Sequence, residues 1–253
     1  MYFVFDLDET LADIYTVYYF VASLQTYPTM SESLRRTLKA YYKKFVKQIL
    51  YEEVINPLGI LRPGILRVME KLHKLYIIGK VKGVIIYSNN GHLYNLEFIR
   101  DIIHEYVGEL VCECVHLSHH MRINQHKTWD DLKYILTNGA CKAKNLRPSD
   151  VFFFDDLIHD NLHKHLENYN HVPEYTYKAS FDRIADIYRK IVVDQEFIDV
   201  IQNDNIKNID DVIEVFRKDS FINTTSRFVE LDEGINMMLY AIKKIGILGK
   251  RKN

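Results

Sequence analysis

Residues 1–11, MYFVFDLDETL, decide how this chain is read. Tyr2, Phe3, Val4 and Phe5 form an apolar run of aromatic and β-branched residues. Such a run is too short for a helix and reads as a strand buried on both faces. It stops at Asp6, and Asp8, Glu9 and Thr10 follow at once. Carboxylates do not extend a buried strand, because an unpaired one is costly to desolvate. They belong where the strand ends, on the carboxyl edge of an open α/β sheet, which is the usual ligand side. Two aspartates two positions apart at a strand tip suit group transfer. Asp6 can serve as a carboxylate nucleophile. Asp8 can protonate a leaving oxygen and then take a proton from water. The same oxygen-rich corner suits a hard cation such as Mg²⁺. A strand followed by a merely acidic turn accounts equally for Asp6 and Asp8, so the rest of the chain has to decide.

Two further apolar runs end in the same way. Val84–Tyr87 (VIIY) is followed by Ser88-Asn89-Asn90-Gly91. A short hydroxyl at a strand tip can hold a phosphoryl oxygen, and the backbone N–H groups after it, starting at Asn89, can assist. A strand closing in an Asn-Gly turn is the structural alternative. Val151–Phe154 (VFFF) follows the turn Arg147-Pro148-Ser149-Asp150 and ends in Asp155-Asp156. Adjacent carboxylates at one strand end raise each other's pKa unless a cation is present. Three lysines precede that strand: Lys127 at the start of a helical segment, KTWDDLKYIL, and Lys142 and Lys144 in a later loop.

Four apolar residues followed by D-x-D-x-T resemble motif I of the haloacid dehalogenase-like (HAD) phosphohydrolases. The wording DLDETL is closest to the branch of the small carboxy-terminal-domain (NLI-interacting-factor-like) phosphatases. The resemblance extends to motif II at Ser88, motif III at Lys127 and motif IV at Asp155/Asp156, in the order the family requires. It covers residues from about 1 to 180, an insertion excepted. It implies an α/β, HAD-like (Rossmann-like) parallel sheet with strand order 5-4-1-2-3, bringing the tips of strands 1, 2 and 4 together. It also implies a Mg²⁺-dependent phosphomonoesterase. Asp6 would be the nucleophile forming an aspartyl-phosphate, Asp8 the acid and base, and Lys127 the stabiliser of negative charge. Lys142 and Lys144 remain rivals for the lysine. Thr10, Ser88 and Asn89 would order the loop and hold the phosphate. Mg²⁺ would be held by Asp6, Asp8 through its backbone carbonyl, and Asp155 or Asp156, unranked. Such a site requires the side chains of Asp6 and Asp155/Asp156 within roughly 10 Å of each other, given ion–oxygen distances of about 2.0–2.6 Å. An unshifted Asp8, at a pKa of about 3.9, is too acidic to act as an acid at neutral pH, so its surroundings must raise it.

Between the first motif and Arg62-Pro63-Gly64 lies a helical insertion, residues 14–60. Ile14 to Thr26 is largely apolar and Pro28 breaks it. Thr29 and Glu32 then make a capping box for a second helix, on which Leu34, Leu38, Tyr41, Phe45 and Ile49 recur at helical spacing. This is the C1 cap position of the HAD fold. The family branch named above carries a short β-rich flap there instead, which leaves the substrate open among a phosphoprotein, a nucleotide or polynucleotide end, and a small phosphoester. Arg35, Arg36, Lys39, Lys43, Lys44 and Lys47 on the second helix read either as a solvated face or as a surface attracting polyanions.

After Pro63, helices are expected with apolar faces at Leu66, Met69, Leu72 and Tyr76, and at Leu96, Ile99, Ile102, Ile103 and Tyr106. A third strand is expected over Leu110–Leu117. A helix is expected over Ile158–Tyr169 and a short fifth strand at His171-Val172-Pro173, giving a catalytic core of residues 1–13 and 61–180. Residues 181–253 read as a helical extension, with helix starts near Asp194, Asn208 and Leu231 and a last apolar face at Leu239, Ile242, Ile245 and Leu248. Cys112, Cys114 and His116 alternate on the third strand, with His119, His120 and His126 beyond it. They raise the question of zinc, but without the usual C-x₂₋₄-C knuckle.

The chain of 253 residues is 47% hydrophobic and 26% charged, which places it among globular proteins. A net charge of −1 does not indicate nucleic acid as a partner, though a polynucleotide end remains possible. The three cysteines argue against a disulfide scaffold and for a reducing compartment. No run has the length of a membrane span and the amino terminus lacks a secretory pattern, so an intracellular, cytoplasmic location away from membranes is expected. Two other functions fit the same scaffold: a phosphotransferase, and a non-catalytic interaction protein that uses the helical tail.

Overall fold

A computed structural model describes residues 1–14, 32–55, 57–175, 180–191 and 233–248, together with Asp199, Asp210 and Ile213. Its strands are β1 (Tyr2–Phe5), β2 (Gly83–Tyr87), β3 (Val111–Val115), β4 (Val151–Asp155) and β5 (Asn168–His171). The helices are α1 (Glu32–Ile55), α2 (Ile65–Ile77), α3 (Leu93–Val107), α4 (Trp129–Asn138), α5 (Asp160–His165), α6 (Phe181–Ile191) and α7 (Glu233–Leu248). The strands form one parallel sheet in the order β3-β2-β1-β4-β5, the order expected from the sequence. β1 lies at its centre, with Phe5 opposite Ile86 of β2 and Phe154 of β4.

The three central strands are buried on both faces, which is why they read as unbroken apolar runs. On one face Phe3, Phe5, Phe152 and Phe154 stack with ring centroids 5.0–6.2 Å apart. On the other, Val4, Ile85, Tyr87, Val115 and Phe153 pack against Trp129, Leu132, Ile135 and Leu136 of α4. Helix α3 packs on β3 and α2 on α3. The buried face of α2 is Ile65, Val68, Met69 and Leu72, whereas Tyr76 is exposed.

The chain divides into two compact units. One comprises residues 1–12, 62–176 and 229–253, and holds the sheet. Within it α7 packs on α2 through a face made by Ile235, Met238, Ala241, Ile242 and Ile245. Gly64, at φ 90°, caps the start of α2, and a Cβ there would meet Ile235 at 3.2 Å. The other unit comprises residues 13–61 and 177–228. Its α1 buries Tyr41, Phe45, Val46 and Ile49 against Ile184, Tyr188 and their neighbours on α6, with Phe45 edge-on to Tyr188. Lys43, Lys44 and Lys47 lie on the exposed side of α1. The tail is thus shared between the two units. The expected helix over Ile14–Thr26, the break at Pro28, the capping residue Thr29 and the helix starts at Asp194, Asn208 and Leu231 lie outside the described residues. Among the described residues no helix is long and apolar enough to cross a membrane.

Three local expectations are corrected. The helix expected over Ile158–Tyr169 is only α5, and the fifth strand is Asn168–His171 rather than His171–Pro173. This strand, NYNH, is polar and half-exposed at the sheet edge, so no apolar pattern announces it. Its register is held by pairing with β4 and by Tyr169, which stacks on Phe153 and donates to the Leu157 carbonyl at 2.6 Å. In β3 a bulge separates the pairs Val84–Val111 and Ile85–Glu113, leaving Cys112 as the extra residue. The bulge turns Cys112 toward the α4 face, while Cys114 stays on the opposite face near Arg100. The two cysteines therefore do not share a ligand face. Cys112 instead forms a disulfide with Cys141, which the turn after α4 brings to the same place.

Candidate active site at the carboxyl edge of the sheet

One step beyond the register pair Phe5–Phe154 stand Asp6 and Asp155, on adjacent strand tips. The Asp6 N–H continues the ladder to the Phe154 carbonyl at 2.9 Å. The chain then turns sharply: Leu11 and Ala12 donate to the Leu7 carbonyl, and Glu9 adopts φ 60°. This turn returns Asp8 and Thr10 to the same edge. The Ser88 N–H extends β2 by donating to Val115 at 2.9 Å. Lys127 directly precedes Thr128, the N-cap of α4, whose hydroxyl accepts from the Asp131 N–H. The cap sets where the helix begins, and so where Lys127 leaves it.

The Lys127 ammonium is only 2% exposed. It donates to Asp6 Oδ1 at 2.5 Å and to Asp155 Oδ2 at 2.6 Å. Both oxygens of Asp155 have protein partners: Oδ1 accepts from the Leu157 N–H at 2.9 Å, and His159 Nε2 stands 3.3 Å from Oδ2. Asp156 is held by Thr10, which donates to Oδ1 and accepts from the Asp156 N–H, both at 3.0 Å. Oxygens of Asp6, Asp155 and Asp156 lie within 4.8 Å of one another, inside the limit that a shared ion sets. Among the described residues this is the one such cluster of possible ligands. Three carboxylates face one ammonium, a net charge that a divalent cation would balance, and the all-oxygen donor set suits Mg²⁺ or another hard ion.

Burial raises the Asp6 carboxyl; Lys127 draws it back, and Asp155 pushes it up again. Burial works against the Lys127 ammonium, but Asp6 and Asp155 outweigh it and hold its pKa above the ordinary lysine value. Asp155 sits below its usual range because His159 and Lys127 together exceed its desolvation. Asp156 and Asp8 are both raised, chiefly by burial. Asp8 receives Asn90 Nδ2 at 3.1 Å, with Ser88 Oγ at 3.4 Å.

Of the residues singled out in the sequence, Asp6, Asp8, Thr10, Ser88, Lys127, Asp155 and Asp156 thus meet at one edge. The Asn89 side chain is exposed and accepts from Arg122 instead. Lys142 and Lys144 lie in the loop entering β4, at the opposite, amino edge of a parallel sheet, where neither can reach Asp6. His119 stands 3.8 Å from Glu113 rather than at the carboxylate cluster. Sequence reasoning missed Arg122, which binds the Ser88 carbonyl at 2.9 Å and covers the Tyr87 ring. It also missed His159, Asn90 and Asn95. Only Asn90 carried a signal, its place two residues after the strand-tip serine. No protein-family model, no curated protein and no solved structure matches this chain.

Proposed function

We propose that the protein is a Mg²⁺-dependent phosphomonoesterase of the HAD type, working through an aspartyl-phosphate on Asp6. The observation that carries this reading is the meeting of Asp6, Lys127, Asp155 and Asp156 within bonding range, with Asp8 and Ser88 beside them. Asp6 attacks phosphorus in line, and the ester P–O bond breaks as the Asp6–phosphorus bond forms. The leaving oxygen keeps the electron pair and takes the proton of Asp8. Asp8, now a carboxylate, removes a proton from water, which attacks the aspartyl-phosphate and releases phosphate and Asp6. Burial raises Asp8 in the direction that a general acid needs near neutral pH. Lys127 offsets charge on Asp6 and on the transferring group. Ser88 offers its hydroxyl to a phosphoryl oxygen. Asp6, the Asp8 backbone carbonyl and Asp155 or Asp156 would hold Mg²⁺, which would supply the charge neutralisation that a carboxylate needs to approach a phosphate dianion. Thr10 acts through Asp156 rather than on the phosphate.

The substrate class stays open among small phosphomonoesters, nucleotides or polynucleotide ends, and phosphoproteins. The test is hydrolysis of p-nitrophenyl phosphate with Mg²⁺, abolished by a chelator and by Asp6→Asn. Full activity in Asp6→Asn overturns the nucleophile assignment. No turnover of any phosphoester by the wild type favours a binding protein built on the same scaffold.

A further inference from the structure

We infer that Asn90 and Asn95 form an amide relay that orients Asp8 for proton transfer, which makes Asn90 a positioning residue. The inference rests on the phosphatase reading above and adds to it residues that no motif names. Asn90 Oδ1 accepts from the His92 backbone N–H at 2.9 Å and from Asn95 Nδ2 at 3.1 Å. A backbone N–H can only donate, so the atom facing it must be the amide oxygen. The NH₂ end of Asn90 therefore points the other way, at Asp8, with Nδ2 3.1 Å from Oδ2 and 3.5 Å from Oδ1.

The backbone of Asn90 is held as firmly. Its N–H donates to Ser88 Oγ at 3.0 Å, and its carbonyl accepts from the Leu117 N–H at 2.9 Å. Ser88 Oγ, already accepting, has its own hydrogen to give, and it stands 3.4 Å from Asp8 Oδ2. Asn95 lies in the first turn of α3 and is only 3% exposed. A buried amide needs partners, and the partner of its NH₂ group is Asn90.

The consequence falls on Asp8. An aspartate carboxyl turns about two single bonds, and proton transfer needs it within hydrogen-bond reach of the leaving oxygen in one orientation. Asn90 ties down Oδ2, with Ser88 adding its hydroxyl only until a phosphoryl oxygen claims it. Oδ1 has the longer contact with Asn90, 3.5 Å, and is the oxygen assigned to exchange a proton with the leaving group and then with water. The relay runs from a buried helix position through Asn90 to the acid. It places the acid without touching substrate.

A purely structural role would depress all substrates alike. A role in orienting the acid depresses most those esters whose leaving group needs a proton. An alkoxide needs it, and p-nitrophenolate, stable as an anion, does not. The experiment measures kcat/KM with Mg²⁺ for glycerol phosphate and p-nitrophenyl phosphate in wild type, Asn90→Leu, Asn90→Asp and Asn95→Ala. Asn90→Leu should lose about 100-fold on the alkyl ester and less than about 10-fold on the aryl ester. Asn95→Ala should show the same selectivity with a loss of about 10-fold on the alkyl ester. Asn90→Asp keeps the shape and the acceptor toward His92 but turns an oxygen toward Asp8. It must show the same split, and it serves if Asn90→Leu fails to fold. Equal losses on both esters, or none, in variants that melt like the wild type overturn the relay and leave the phosphatase reading standing. A wild type inactive on both esters removes both.

Discussion

The ammonium of Lys127 lies 2.5 Å from Oδ1 of Asp6, a residue 121 positions away in the chain. The pair is buried and closed by Asp155 on the other side of the ammonium. A charge so placed is costly to leave without its partner. Lys127→Met would leave Asp6 and Asp155 facing each other without the intervening cation. The expected loss of stability is about 3–5 kcal/mol. Urea denaturation without metal measures it. Added Mg²⁺ should restore part of the loss, since it would bind the carboxylates of the folded form alone.

Thr10 makes both of its hydroxyl bonds to one residue, Asp156. Thr10→Val keeps the volume but strands the Asp156 N–H and frees its carboxylate. The expected cost is about 1–3 kcal/mol of stability. Mg²⁺ affinity should fall by about 10- to 100-fold, the usual effect of losing an outer partner of a ligand. Thr10→Ser keeps the hydroxyl and should lose far less. Isothermal titration with Mg²⁺ separates the two variants.

Glu53 on α1 is buried and accepts from the Ile60 N–H at 2.9 Å. Burial outweighs this bond and pushes its carboxyl up to about 7. Between its ordinary value of about 4.5 and about 7, the folded chain holds a proton that the unfolded chain has released. Stability from this group is therefore greatest below that window and declines as pH rises through it, by up to about 3 kcal/mol. Thermal melts at pH 5 and pH 8 should show a smaller difference in Glu53→Gln than in the wild type. An unchanged difference would refute the assignment.

Gly83 opens β2 where the Cys112–Cys141 sulfurs pass. A Cβ there would lie 2.8 Å from one sulfur and 3.1 Å from the other. The sulfurs are joined to each other and cannot both retreat. Gly83→Ala should cost about 1–3 kcal/mol, the range for overpacking a filled core. Cys112→Ser removes the crosslink between residues 29 apart and should cost about 3–4 kcal/mol by the loop-entropy relation. It should also soften the Gly83→Ala penalty, because one sulfur is gone. A double-mutant cycle by chemical denaturation reads that coupling. Peptide mapping without reductant checks the bond itself.

The amino-acid sequence was enough for the central strands and for what stands at their ends. YFVF, VIIY and VFFF are apolar at every position because neighbours cover both faces, and aspartate or serine stops each run at the carboxyl edge, where a buried polar group finds partners. What the pattern could not show is anything set by partners distant in the chain. β5 is polar because its side chains lie half-exposed at the sheet edge, and its backbone pairing with β4 leaves no trace in its composition. The bulge in β3 carries Cys112 to the face where Cys141 waits, against simple alternation. Lys127 is told from Lys142 and Lys144 only by the sheet edge each loop reaches. Asn90 turns its NH₂ end to Asp8 because its Oδ1 accepts from the His92 N–H and from the Asn95 amide, a choice made by the fold. Residue type and periodicity report on burial near each position, whereas which charges and amides meet depends on strand register and loop closure across the whole fold.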